Sequence, residues 1–174
     1  MTTTIDSGRA AWRAGRPVGL GTNALVVQTG PDGAARYLLI NRARKAGDPM
    51  GIPGGSVEEG QAPRDAVTAH LAQKVGITAS AGLRLLGTDH TTARPGQGQV
   101  ERHNWLYGVS VPADAVPQLA PTSGYDRMQW ATEEEARGLL TGNSLARFTH
   151  VLAAWNTGTP VELRDSKPLP GVVA

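Results

Sequence analysis

The chain has no cysteine, so it can form neither a disulfide nor a thiolate zinc site, which fits a reducing compartment. Aromatic residues are scarce, at 5% with a single Phe, so Val, Leu, Ile and Ala must build the core. No run reaches the roughly 18 apolar residues that a membrane-spanning helix needs. The opening Met1-Thr2-Thr3-Thr4-Ile5-Asp6 has no basic stretch leading into an apolar one. Charge of one sign is also lacking: the formal +2 comes from scattered residues and forms no basic stripe. These absences predict a soluble, cytoplasmic protein that binds neither membrane nor nucleic acid.

What remains is a globular composition. Hydrophobic residues at 40% against charged residues at 18% favour a packed core over disorder, and 22 Gly with 12 Pro promise many turns. A length of 174 residues suits one domain. The organisation read from the chain is an N-terminal extension over 1–21, a domain over 22–156 and a loosely held tail over 157–174, where Pro160, Pro168 and Pro170 interrupt any period.

Within the domain, Thr22 to Thr29 and Tyr37 to Ile40 read as two strands of a hairpin around the turn Gly30-Pro31-Asp32-Gly33. Gly51-Ile52-Pro53-Gly54-Gly55 reads as a shaped loop without regular structure. From Ala62 to Val75, Val67, Leu71 and Val75 fall four apart on one helical stripe, Pro63 suits the first turn and Gly76 the end. Ala66, Ala69 and Gln73 are then expected on the opposite side. Strands follow at Leu83–Leu86, Trp105–Val111 and Arg127–Trp130, with a polar, Gly-rich loop over Thr91–Glu101 expected near a ligand. Thr132-Glu133-Glu134-Glu135 is a capped helix start, and Asn143 to Trp155 is a last amphipathic helix. The order suggests an α+β fold, an α/β/α sandwich on a mixed sheet.

The segment Gly55 to Ile77 resembles the Nudix box: Gly, five variable residues, Glu, seven variable residues, then Arg-Glu-apolar-any-Glu-Glu-any-Gly-apolar. Gly55, Leu71, Gly76 and Ile77 match the frame at its spacing. Ile52-Pro53-Gly54-Gly55, Glu58-Glu59-Gly60 and Met128-Gln129-Trp130 also look like the family, so the likeness spans roughly Thr22 to Trp155. It implies a Nudix-type sandwich. In active relatives the box carboxylates hold magnesium against a diphosphate. Here the first Glu is Gln61, the Arg is Ala69, the Glu beside it is His70, and the Glu pair is Gln73-Lys74. Magnesium requires oxygen ligands. A cation about 5 Å from the metal would oppose it by roughly 3 kcal/mol per unit of metal charge at an effective dielectric near 20. No cofactor is therefore expected. Any residual metal would fall to Glu58, Glu59 or Asp65.

The resemblance puts His70, Gln73 and Lys74 in the old catalytic cleft beside Glu58, with His70 as a proton-transfer group and Lys74 facing an anion. The alternative is that they are solvated helix residues. Gly54 and Gly55 would allow close backbone approach to an anion, and Arg42 and Arg44 could grip a phosphate. Asp89, His90 and His103 flank the Gly-rich loop, and Trp105 and Tyr107 alternate on one strand face suited to a planar ligand or to the core. His150 reads as structural. Three functions stay open: an atypical enzyme on a small anionic metabolite without the usual magnesium, a non-catalytic ligand-binding or regulatory module, and a hydrolase of nucleoside diphosphate derivatives with displaced carboxylates. A homodimer is left open.

Overall fold

The computed structural model describes residues 18–42, 49–79, 82–93 and 101–170. Strands β1 (Val18–Thr29) and β2 (Ala35–Arg42) form the expected hairpin, with Val27 opposite Tyr37. The turn closes because Gly33 takes φ 78° and the Asp32 carboxylate accepts from Ala34 N–H at 3.1 Å. The short β3 (Gly54–Ser56) leads into helix α1 (Pro63–Val75), followed by β4 (Arg84–Thr91), β5 (Glu101–Val111) and β6 (Tyr125–Ala131). Helices α2 (Glu133–Leu139) and α3 (Gly142–Thr157) and strands β7 (Val161–Arg164) and β8 (Lys167–Pro168) complete the fold. The sheet runs β6-β2-β1-β5-β4-β7-β8, with β3 on β1. It is mixed: β1 with β5 and β4 with β7 are parallel, the other pairs antiparallel.

Strand alternation creates the layers. Ala24, Val26, Leu38 and Ile40 point to one face and meet Val67, Leu71 and Val75 of α1. Leu25, Val27, Tyr37 and Leu39 point to the other and meet Ala136 of α2 and Phe148, Val151 and Leu152 of α3. Phe148 packs edge-on against Tyr37, centroids 5.3 Å apart, which ties α3 to β2. Burying each large aliphatic side chain contributes about 1.5–3 kcal/mol. Helix ends follow their local chemistry. Gly76 closes α1 in a left-handed turn at φ 68°, and Thr132 with Glu135 forms a reciprocal capping box on α2. Among the described residues no helix is long and apolar enough to cross a membrane.

Four expectations change. The first strand begins at Val18, four residues ahead of Thr22, because its Gly19 and Gly21 pair with β5 and lack side chains to show a period. The presumed irregular Gly54-Gly55 segment is strand β3, paired with β1, and a Cβ on Gly54 would stand 2.2 Å from Thr22 O. The glycines are there to let two backbones touch. Ala66 is fully buried and does not lie opposite the core stripe. The segment expected as a loose tail supplies β7 and β8. Leu163 and Ser166 are buried, and β7 pairs with β4 from Gly87 to His90.

Candidate functional site

On α1, Ala66, His70 and Lys74 form a second line of residues four apart, about 100° round from Val67, Leu71 and Val75. This line leans on β3. His70 Nε2 lies 2.7 Å from Ser56 O. A carbonyl only accepts, so Nε2 carries the proton and donates it. Gly55 is what lets the ring come so close, since a Cβ there would stand 2.4 Å from His70 Nε2. One turn on, the Lys74 ammonium donates to Gly54 O at 3.4 Å and lies 5.8 Å from the centre of the Tyr125 ring. The Tyr125 hydroxyl donates to the same carbonyl at 2.6 Å.

The other two positions where the resemblance places carboxylates are amides. Gln61 folds back into its loop, its side-chain oxygen accepting from Glu58 N–H at 3.1 Å, and Gln73 is exposed. Gln61, His70, Gln73 and Lys74 together bring one cation and no carboxylate to this face. Glu58 and Glu59 are exposed on the loop after β3. They rim a cleft of about 500 Å³ whose walls include Leu20, Ser56, Gln61 and Arg102.

The remaining expected site residues disperse. Arg42 closes β2, while Arg44 and residues 94–100 of the Gly-rich loop lie outside the described residues. Asp89, expected beside a ligand, is fully buried on the α3 side of the sheet. Its carboxylate accepts from Arg147 (2.7 and 2.9 Å), from Ser166 N–H (3.0 Å) and from the Ser166 hydroxyl (2.9 Å). That anchors the β7–β8 turn. Tyr107 is core, at 6% exposure, and burial pushes its phenol above the ordinary value. Trp105 packs on the same core edge and also lines a second cavity of about 230 Å³ with His90 and His103. That cavity shares no lining residue with the cleft beside the box.

Ser56 O, Gly54 O and Tyr125 could not be foreseen as partners of the box helix, because two are main-chain atoms and Tyr125 is 71 residues from Gly54. Arg102 was visible only as the residue alternating with Glu101 and His103 on β5.

The NUDIX domain profile matches residues 19–152. No curated protein matches the sequence. Solved structures share the fold. The NUDIX domain of Shewanella oneidensis NrtR, crystallised with ADP ribose, has a TM-score of 0.70 at 17% identity, covering 89% of this chain and 99% of that one. A C. elegans Ap4A hydrolase has 0.64 at 14%, covering 80% and 98%. A MutT NUDIX hydrolase from Burkholderia pseudomallei has 0.61 at 20%, covering 78% and 96%. With the sandwich, the box helix on β3 and a matching profile over most of its length, this chain belongs to the NUDIX family.

Proposed function

We propose that this NUDIX domain binds a small anionic metabolite, of the nucleoside-diphosphate class, without magnesium and without hydrolysing it through the box. One observation carries the reading: two of the positions that resemblance gives to metal-binding carboxylates, His70 and Lys74, donate to the carbonyls of Ser56 and Gly54. Direct hydrogen bonds between α1 and β3 thus stand where carboxylates would have bridged to an ion. Gln61 and Gln73 add no charge, so the donor set does not fit a hard divalent cation.

The same contact weakens the case for His70 as a proton shuttle. Its Nε2 proton is committed to a main-chain carbonyl, which fixes the ring as a structural prop. Binding is the function that survives. The 500 Å³ cleft has room for a nucleotide-sized molecule, and Arg102 supplies a guanidinium suited to a phosphate. The structurally similar NrtR domain was crystallised with ADP ribose, which makes that compound the first probe.

Calorimetric titration with ADP-ribose, once in EDTA and once with magnesium, tests this. The affinity should be the same in both, the compound should be recovered intact, and Arg102→Ala should weaken binding roughly tenfold, the loss of about 1.4 kcal/mol. Binding that requires magnesium, or release of a mononucleotide, would overturn it.

A further inference from the structure

Strands β4 and β5 carry three metal-ligating side chains away from the box cleft. His90 and His103 are direct cross-strand partners, so both rings leave the same face of the sheet. Glu101, two residues before His103, shares that face by strand alternation. Its Oε1 lies 2.8 Å from His90 Nε2 and 3.9 Å from His103 Nε2. The imidazoles are stacked, centroids 4.4 Å apart at 13°. One ligand atom from each residue falls within 4.8 Å of the others, and no other His, Cys, Asp or Glu trio among the described residues does so.

We infer that His90, Glu101 and His103 form a binding site for a transition-metal ion of the zinc class. Two imidazoles and a carboxylate are a donor set for zinc or its neighbours and a poor one for magnesium. In a tetrahedral site with bonds near 2.05 Å, ligand atoms stand about 3.3 Å apart, and the observed 2.8 and 3.9 Å bracket that value. The ion takes the place of the proton that His90 donates to Glu101. Because a nitrogen lone pair lies in its ring plane, the stacked rings must tilt apart to share one ion. His103, with 45% of its side chain exposed, has room to swing, whereas His90 at 29% and Glu101 at 18% are held more firmly.

Three protein ligands leave a fourth position open. His90 and His103 line the 230 Å³ cavity, where Thr88, Trp105 and Arg164 also form the wall. Arg164 is in register with His90 on β7. Its charge opposes a bare dication and favours an ion that carries an anionic fourth ligand.

The test is zinc alone, titrated into the full chain against a chromophoric chelator, with cobalt absorption as a second readout. One ion per chain is expected, with a tetrahedral cobalt band. His103→Ala and Glu101→Gln should each weaken uptake by more than the roughly 10–100-fold that disturbing a ligand's outer partners costs. His70→Ala and His150→Ala should bind as the unaltered chain does. Matched circular dichroism spectra certify each variant as folded. Absence of uptake, an octahedral cobalt spectrum, or loss with His70→Ala while His103→Ala still binds would each refute the site.

Discussion

The box face and the far edge of the sheet handle charge in opposite ways. Where α1 meets β3, the ring of His70 and the ammonium of Lys74 are partly exposed and donate to the main-chain carbonyls of Ser56 and Gly54. Where β4 meets β7, the Asp89 carboxylate is wholly buried and accepts from Arg147 and Ser166, while Arg147 also reaches Asn23 at 3.3 Å. The first region carries the box spacing with a His, a Lys and two amides at the positions where the resemblance places carboxylates. The second uses a charge to fasten the end of the chain to the sheet. The comparison teaches that the box spacing does not itself fix the charges it carries, whereas the buried Asp89 carboxylate is matched by a donor at each oxygen.

The largest effect should therefore come from the far edge. Asp89→Ala leaves Arg147 without its carboxylate partner and the β7–β8 turn without its anchor, and breaking such a buried pair costs about 3–5 kcal/mol. Denaturant unfolding measures it. If the loss is under about 1 kcal/mol, the range of an exposed pair, the contrast between the regions fails.

At the box, Gly55→Ala forces a Cβ to within 2.4 Å of His70 Nε2, and overpacking of this kind costs about 1–3 kcal/mol. In a His70→Ala background most of that cost should vanish. A double-mutant cycle without coupling would mean that the ring does not lean on β3 as described.

How much of this was legible depended on distance along the chain. The β1–β2 hairpin, α1 with its Gly76 stop and the Thr132 capping box are written in neighbouring residues, and the sequence showed them. The tail was not, because β7 is held by Asp89, which lies 77 residues from Ser166 and 58 from Arg147. The box frame was legible by its spacing. The atoms now serving it were not, since Ser56 O and Gly54 O are backbone groups that no side-chain pattern reveals. Asp89 looked like a site residue for a related reason: it sits beside His90, but strand alternation sends the two to opposite faces.

The smallest effects lie at α2, away from both regions, and calibrate the scale. Thr132→Ala removes the cap that accepts from Glu135 N–H and should cost about 1 kcal/mol. The backbone N–H of Thr132, donating to Glu135 at 2.8 Å, holds that carboxyl below its ordinary range. A lowered folded value means that its stabilisation is present above the ordinary carboxylate pKa and is lost as pH falls through the folded value. The stability difference between the native chain and Glu135→Gln should accordingly shrink in acid, and a difference that grows there would reverse the assignment.

The most direct test of the central claim is product analysis of ADP-ribose incubated with the native chain and magnesium, beside a variant with Gln61, His70, Gln73 and Lys74 all changed to Glu and Ala69 to Arg. The native chain should release no mononucleotide at any magnesium concentration, and turnover, if it appears, should appear only in the variant. Magnesium-dependent release by the native chain would contradict the account.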